Sequence, residues 1–274
     1  VAGAHHHLVR EPLMPTLRID DVELIYVDTG AGPPLVFLHG LGSRVEDWQF
    51  QLEHFSRDFR CLAFDLPGSG KSVDHAHPLG PFTLPGYARV IAAALRTLNV
   101  ERAHLVGLSM GGMTSLQLAL DAPELFRTVT VVNALASMQP RNVKERMLLG
   151  VRSLVTRTLG PKGIARAIAP KLFPKPEHAA LRAQFSAHLA SLDPRVYAEV
   201  SRGLMGWTVE PRLPELKVPL TLICADADYT PVSRKHELAA KVPGTKVIVV
   251  PDTHHALPVE APDAFNAALR ATLT

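Results

Sequence analysis

Short apolar runs alternate with stretches of helical spacing along most of the chain. Residues 16–20 and 22–28 predict an opening β-hairpin that turns at Asp20-Asp21. Six further runs are almost wholly apolar, which predicts buried strands at 35–38, 60–65, 103–106, 128–132, 220–224 and 246–250. Helical segments separate them, of which 83–98 is the clearest because Leu84, Tyr87, Ile91, Leu95 and Leu98 form one apolar stripe. This order is typical of an α/β fold with a mostly parallel sheet covered by helices on both faces.

The segment from residue 137 to residue 211 breaks the alternation. It contains no convincing strand and offers helical runs such as 143–159 and 176–192, divided by Pro and Gly. Because ligands of α/β sheets bind at the carboxyl edge, an insertion of this size between two strands predicts a helical cap over that edge. The alternative is an ordinary crossover with a long helical connection. With the cap at 137–211, the α/β core comprises 16–136 and 212–274.

Residues 1–15 precede the first predicted strand. Their His5-His6-His7 run is typical of an expression tag or a flexible lead-in, and a metal-ligand cluster is the alternative. They lack the layout of a secretory signal, and no apolar stretch approaches the roughly 20 residues that span a bilayer. Cys61 and Cys224 lie inside apolar strand-like runs, so we expect both to be reduced. These features predict a cytoplasmic protein without a membrane partner.

Charge is distributed unevenly along the chain. The net charge is only +3, yet residues 137–206 carry twelve Lys and Arg against four Asp and Glu. No nucleic-acid motif and little aromatic interleaving accompany these basic residues, which argues against nucleic-acid binding. The surplus predicts either a solvated outer face of the cap or inward arginines, Arg141 or Arg146, that pair with a substrate carboxylate.

Candidate chemistry is concentrated in residues 105–112, Leu-Val-Gly-Leu-Ser-Met-Gly-Gly. An apolar strand leads into Gly107-x-Ser109-x-Gly111, and a helix-forming run follows. A sharp strand-to-helix turn strains its central residue, and Gly107 and Gly111 provide the space that exposes the Ser109 hydroxyl. The free N–H groups at the start of the helix would face a developing oxyanion. Ser109 is therefore the candidate nucleophile.

A serine nucleophile needs an orienting acid and a base, which in this kind of sheet follow the serine in that order. Asp226 and Asp228 lie in the loop after the strand at 220–224 and either could be the acid, with Asp228 preferred because it is further from the strand end. His254 and His255 follow the last strand, and one of the pair is the candidate base. Both loops return to the sheet edge that carries Ser109.

Several motifs together resemble the α/β-hydrolase superfamily, over nearly the whole chain from about residue 17 onward. In chain order they are His39-Gly40, Asp65-x-x-Gly68-x-Gly70-x-Ser72, the elbow at 107–111, and His255 followed by Glu260, Pro262 and Phe265. One departure is His254, where the family usually has Gly. The resemblance implies a doubly wound eight-stranded sheet with an inserted cap, and its spacing selects His255 as the base.

The resemblance also implies site roles. Ser109, Asp228 and His255 would form a catalytic triad, and the backbone N–H groups of Leu41 and Met110 an oxyanion hole. No metal or organic cofactor is implied, because the triad supplies the nucleophile and the proton transfers. Apolar cap residues are expected to line the pocket beside the two arginines, namely Met147, Leu148, Leu154, Phe173, Leu204 and Met205.

Residue types narrow the expected reaction. Haloalkane dehalogenases and epoxide hydrolases of this fold use Asp where Ser109 stands, and C–C hydrolases typically have Trp where Ala256 stands. We expect a carboxylic ester hydrolase that forms an acyl-enzyme, with a small-molecule ester or lactone as its partner, acting as a monomer or homodimer. The alternative is a lactone hydrolase of the 3-oxoadipate enol-lactonase type, which the run Gly-Leu-Ser-Met-Gly-Gly-Met resembles. A C–C hydrolase, a perhydrolase and a non-catalytic ligand receptor are further alternatives.

Overall fold

A nine-stranded sheet runs through the middle of the protein. The computed structural model describes residues 14–273, so most of the predicted lead-in at 1–15, including its histidine run, lies outside the described residues. The strands are β1 (Thr16–Ile19), β2 (Val22–Thr29), β3 (Pro34–Leu38), β4 (Arg60–Phe64), β5 (Val73–Asp74), β6 (Ala103–Leu108), β7 (Phe126–Val132), β8 (Leu220–Ala225) and β9 (Lys246–Val250).

Eight of these strands follow the spatial order β1-β2-β4-β3-β6-β7-β8-β9, and the two-residue β5 pairs with β2. The pairings that involve β2 are antiparallel. All pairings from β4 through β3 to β9 are parallel, so the carboxyl ends of these strands meet at one edge. The predicted mostly parallel eight-stranded sheet is confirmed, with β5 as an addition.

Helices cover both faces of the sheet, as the apolar strands require. They are α1 (Gln49–Phe55), α2 (Leu84–Thr97), α3 (Met110–Asp121), α7 (Val232–Ala239), α8 (Leu257–Glu260) and α9 (Pro262–Arg270). Side chains of β3 alternate between the two sides: Leu38 joins the cluster that contains Leu95 of α2, and Phe37 joins the one that contains Phe265 of α9. Alternation into two buried clusters explains why the strands are apolar throughout.

Three helices follow one another between β7 and β8. They are α4 (Val143–Leu172), α5 (Ala179–Ser191) and α6 (Pro194–Gly203). α4 is kinked at Gly160, whose φ of 59° and ψ of −165° are not helical, and Pro161 begins its second half. The helical runs predicted at 143–159 and 176–192 correspond to the first half of α4 and to α5, and the second half of α4 and α6 each begin at a proline. Pro161 and Pro194 stand in first turns, where a proline ring is tolerated.

The insertion leaves the core and returns to it at one place. Ser137 and Thr208 form an antiparallel bridge, and the Met138 N–H donates to the Trp207 carbonyl at 2.7 Å. The Trp207 indole N–H donates to the Gln117 side chain of α3 at 2.9 Å, which fixes this junction to the helix that follows Ser109. The division into a core and a cap at 137–211 is consistent with this closed neck and stays a prediction.

Two further expectations concern the environment of the protein. Cys61 and Cys224 are both free and buried. Among the helices formed by residues 14–273, none combines the length and apolar character needed to cross a bilayer.

The loop after β4 is held by a buried carboxylate. Asp65 is 1 % exposed and accepts hydrogen bonds from the backbone N–H groups of Val45 and Lys71, both at 2.8 Å. Gly70 has φ +54°, and a Cβ there would collide with the Asp65 carboxylate. The Ser72 hydroxyl accepts from the Ile25 N–H at 2.8 Å. The Asp-x-x-Gly-x-Gly-x-Ser motif is therefore a loop brace.

Replacing this brace tests the fold. Asp65→Ala should lower the free energy of unfolding by about 2–4 kcal/mol, because the buried Val45 N–H and the partly buried Lys71 N–H lose their charged acceptor. Urea denaturation measures the difference, with Glu53→Ala on the exposed face of α1 as the control. A loss for Asp65→Ala no larger than that of the control would contradict the bracing role.

Candidate active site

Ser109 stands at the turn between β6 and α3. Its φ of 54° and ψ of −114° are strained for a residue with a side chain, and α3 begins at the next residue. A Cβ on Gly107 would lie 2.2 Å from the Gly111 carbonyl oxygen, and one on Gly111 would lie 2.1 Å from that of Leu38. Both glycines are therefore needed for the close packing of β6, α3 and β3 that presents the serine at the sheet edge.

The loop after β3 packs directly against this serine. A Cβ on Gly40 would lie 3.5 Å from the Ser109 Cβ, so the two backbones are in close contact. His39 fixes the loop, since its Nδ1 donates to the Gly40 carbonyl at 2.8 Å and its Nε2 accepts from the Leu66 N–H at 3.0 Å. Leu41 follows on this loop, and Met110 opens α3, where N–H groups have no intrahelical acceptor. The two predicted oxyanion donors thus belong to the two segments next to Ser109, the loop after β3 and the first turn of α3.

Asp228 and His255 are hydrogen bonded to each other. The distance from His255 Nδ1 to Asp228 Oδ1 is 2.7 Å. An ionised carboxylate only accepts, so Nδ1 carries the proton and Nε2 keeps its lone pair. Asp226 has a different environment, in which it accepts from the Thr253 N–H at 3.2 Å. Backbone hydrogen bonds, first from Asp252 and then from Thr253, lower the pKa of Asp226.

His254 points to another partner. Its Nδ1 lies 2.6 Å from Glu260 Oε1, and its backbone N–H donates to Oε2 at 2.7 Å. The Glu260 side chain is 1 % exposed, and His178 of the insertion approaches the same oxygen at 3.9 Å. The closing motif of the family resemblance therefore has a structural use here, because Glu260 holds the loop that carries His255.

Asn133, at the end of β7, links the loop that carries Asp228 to the loop that carries His255. Its side-chain Nδ2 donates to the His255 carbonyl at 3.1 Å, and its Oδ1 accepts from the Ala225 N–H at 2.9 Å. The residue has φ 47°, a conformation that asparagine tolerates better than most residues. The Asn133 side chain thus fixes the loop that carries Asp228 relative to the loop that carries His255.

A buried lysine, which the sequence analysis had not singled out, completes the surroundings of Asp228. Lys235 of α7 is 1 % exposed, and its Nζ lies 2.8 Å from Asp228 Oδ2. Lys235 also donates to the carbonyl and hydroxyl oxygens of Thr230, whose hydroxyl donates to the same carboxylate. Its spacing from Leu238 puts both on the buried face of α7, and that helical spacing was the available signal.

These contacts decide the charge state of Asp228. Burial by itself raises the pKa of the Asp228 carboxyl, but the hydrogen bond and charge of His255, together with the charge of Lys235, outweigh it and bring the pKa to about 2. The carboxylate is therefore ionised at neutral pH and shared between an imidazole and an ammonium group.

Tyr229 is a second residue that the sequence analysis missed. Its hydroxyl lies 2.7 Å from His255 Nε2, and its ring lies over the imidazole with centroids 4.1 Å apart. The Ser109 side chain also acts on the phenol, lowering its pKa against the larger effect of burial. The residue follows Asp228 directly, so its place in the sequence was a signal that went unused.

The structure does not bring the predicted substrate arginines to these residues. The Arg141 guanidinium contacts Glu237 at 2.5 Å and Glu210 at 3.3 Å, because the start of the insertion lies beside α7. Arg146 is exposed on α4. Arg152 is instead half-buried, and its charge acts on the Tyr197 and Tyr229 hydroxyls.

The predicted apolar lining residues are also scattered. Met147, Leu148 and Leu154 are 66 %, 68 % and 61 % exposed, because the first half of α4 turns an apolar face outward. Leu204 is buried in the cluster that α2 and α3 share, and Met205 lines an open groove between α4 and α6. Of these six residues, Phe173 is the one that packs in a cluster with Ala256, which is next to His255 in the chain.

A cavity of about 200 Å³ lies between the 65–72 loop and the insertion. Its walls include Leu41, Phe82, Tyr197 and Val200, and Ser109 is not among them. The cavity reaches the predicted oxyanion loop at Leu41, Gly42 and Ser43, so it adjoins the candidate site without Ser109 in its wall.

With this geometry in hand, comparison with known proteins identifies the family. The family model described as the alpha/beta hydrolase fold matches residues 33–262. The chain belongs to the α/β-hydrolase family. That finding confirms the resemblance based on the motifs.

Individual relatives extend over almost the whole chain. A putative carbamate hydrolase RutD from Azorhizobium caulinodans is 29 % identical over 93 % of this chain and 97 % of its own length. 3-oxoadipate enol-lactonase 2 from Acinetobacter baylyi is also 29 % identical, over 94 % and 96 %. The crystal structure of the enol-lactonase from Burkholderia xenovorans LB400 superimposes with a TM-score of 0.85 at 26 % identity, covering 94 % of this chain and 99 % of that one. These similarities support hydrolase activity.

The pair formed by Lys235 and Asp228 makes stability depend on pH. Because the pKa of Asp228 is about 2 in the folded protein and 3.8 ordinarily, its ionised contacts stabilise the fold above about pH 4 and are lost as the pH falls towards about 2. Lys235→Met should cost about 3 kcal/mol of unfolding free energy near neutral pH, as loss of one partner of a buried pair does. The difference from wild type should narrow on acidification, as measured by urea denaturation over a pH series.

Lys241→Met provides the control, since Lys241 is exposed and pairs with Glu210. A Lys235→Met deficit that stays constant down to about pH 2 would mean that the lysine stabilises by packing alone.

Proposed function

We propose that the protein is a serine hydrolase that cleaves carboxylic esters through an acyl-enzyme intermediate. The observation that carries this proposal is the 2.7 Å hydrogen bond between His255 and Asp228 at the sheet edge where the strained Ser109 stands. The two buried, free cysteines support a reducing, cytoplasmic setting for the enzyme.

Acylation begins at the serine. Ser109 Oγ attacks the ester carbonyl carbon while its proton passes to His255 Nε2. The N–H groups of Met110 and Leu41 bind the oxyanion that forms. Asp228 holds the imidazole in the tautomer that leaves Nε2 free to accept, and it stabilises the imidazolium. The carbon–oxygen bond to the alcohol then breaks as His255 returns the proton to the leaving oxygen.

Deacylation repeats these steps with water. His255 takes a proton from a water molecule, whose oxygen attacks the acyl carbon, and the oxyanion again lies between the same two N–H groups. Collapse of the intermediate releases the carboxylic acid as His255 protonates Ser109 Oγ. Every proton is accounted for by His255, so no cofactor enters this scheme.

A second candidate is lactone hydrolysis of the 3-oxoadipate enol-lactonase type. It is supported by the enol-lactonase relatives in sequence and in structure. A lactone is a cyclic ester, so the same residues act and only the leaving oxygen stays attached to the acyl group. Another relative is a putative carbamate hydrolase, which makes a carbamate the third substrate class to compare. Comparing kcat/KM for a p-nitrophenyl ester, a γ-lactone and a carbamate of similar size separates the three.

Substitution of the predicted nucleophile and base tests the mechanism. Ser109→Ala should reduce kcat for p-nitrophenyl acetate by on the order of 10⁴–10⁶, as deletion of a triad member does. His255→Ala should be comparably damaging. His254→Ala should be much milder, because His254 contacts Glu260 and not Asp228. Equal losses for the two histidines would contradict the assignment of the base.

The two aspartates provide a matched pair for the acid. Asp228→Asn should reduce kcat by about 10²–10⁴, since the amide favours the wrong histidine tautomer. Asp226→Asn should act mainly on stability, because its carboxylate accepts from the Thr253 backbone. Steady-state kinetics together with thermal unfolding distinguish the effects. If Asp226→Asn is the inactive variant and Asp228→Asn is not, the acid has been misassigned.

A further inference from the structure

The Tyr229 hydroxyl is hydrogen bonded to His255 Nε2, the nitrogen that must accept the serine proton in the proposed mechanism. His255 Nδ1 donates to Asp228, so Nε2 has a single lone pair with which to accept a proton. The Tyr229 hydroxyl lies 2.7 Å from that nitrogen. Since Nε2 can only accept, the phenol is the donor, and Ser109 cannot pass its proton to Nε2 while this bond persists.

The place that the phenol occupies has a defined role in ester cleavage. In the proposed mechanism His255 protonates the leaving alcohol from Nε2, so the leaving oxygen must come within hydrogen-bond distance of that atom. It must also lie next to Ser109 Oγ, because both oxygens are bonded to the same carbon. The Tyr229 hydroxyl meets the first condition, since it bonds Nε2 at 2.7 Å, and it is near enough to the Ser109 side chain for the serine to influence the pKa of the phenol.

We propose that Tyr229 fills the leaving-group side of the site and is displaced by the alcohol portion of the substrate, which makes it a residue that determines leaving-group specificity. This inference rests on the proposed function. The Tyr229 hydroxyl occupies the position of the leaving alcohol, and a bound ester places its leaving oxygen there instead.

Displacement needs little rearrangement of the fold. The residue as a whole is 55 % exposed, although its hydroxyl is turned inward to His255. Burial of that hydroxyl raises the pKa of Tyr229, so it stays protonated at neutral pH and remains a donor. Outward rotation breaks the hydrogen bond and the ring contact with His255, and Tyr229 belongs to neither sheet-side core cluster.

Two substitutions separate the hydroxyl from the ring. Tyr229→Phe keeps the ring and removes the bond to Nε2, so kcat/KM for methyl and benzyl acetate should both rise about five-fold, the ratio that a net hydrogen bond of about 1 kcal/mol represents. Tyr229→Ala also removes the ring, so the benzyl-to-methyl ratio of kcat/KM should rise at least about ten-fold, as for the release of a steric block worth about 1.4 kcal/mol. Tyr26→Phe, on β2 and stacked on Phe64, is the control and should change neither value.

A fluorophosphonate that labels serine gives a readout that does not depend on ester turnover. Wild type should be labelled at Ser109, and Tyr229→Phe should be labelled faster. If no ester is turned over but labelling follows this order, ester hydrolysis is wrong as the function, whereas the restraint of His255 Nε2 by Tyr229 is supported. A loss of ten-fold or more in kcat/KM for Tyr229→Phe would overturn the inference in favour of a fixed catalytic hydroxyl. An unchanged benzyl-to-methyl ratio for Tyr229→Ala would overturn the leaving-group assignment.

Discussion

The close approach of β6, α3 and β3 is the constraint on which the site depends. Gly107 and Gly111 stand where a Cβ would collide with a neighbouring carbonyl oxygen. Ser109, between them, has φ 54°, and α3 begins at the next residue. The strain is offset by the sheet and helix on either side, which are buried almost completely. This packing therefore presents the Ser109 side chain at the sheet edge. It also brings the start of α3 and the loop that contains His39 next to that side chain.

A second interaction, centred on the Asp228 carboxylate, organises the other half of the site. One oxygen accepts from His255, and the other accepts from Lys235 and Thr230. Buried charges are costly unless they are paired, and the buried ammonium of Lys235 pairs with this carboxylate at 2.8 Å. The lysine lies in α7 and the histidine after β9, so the carboxylate also joins two elements that are separate in the chain.

Features governed by local pattern could be predicted from the sequence, and features governed by tertiary contact could not. Apolar runs predicted most strands of the sheet, and 3.6-residue spacing predicted α2. Chain order selected Ser109, Asp228 and His255 as candidates, and the structure joins the last two by a hydrogen bond. Proline was misleading within the insertion, since Pro161 and Pro194 begin helical segments instead of ending them. The directions of Arg141 and of the apolar face of α4 depend on how the insertion seats on α7, which no periodicity encodes. Lys235 and Tyr229 acquired significance only when folding placed them against the acid and the base.

The insertion contacts the loop that carries His255 as well as the core at its own neck. Lys175 donates to Asp252 at 2.6 Å, His178 lies next to Glu260, and Phe173 packs with Ala256. Helical segments of this kind are attractive units for exchange between related hydrolases when new substrate ranges are sought. In this protein such an exchange would replace the inserted helices and would also remove the contacts that they make with the loop of His255. A functional chimera would therefore have to carry residues 172–178 with the core, or supply equivalents, before any change in selectivity could be attributed to the transplanted helices.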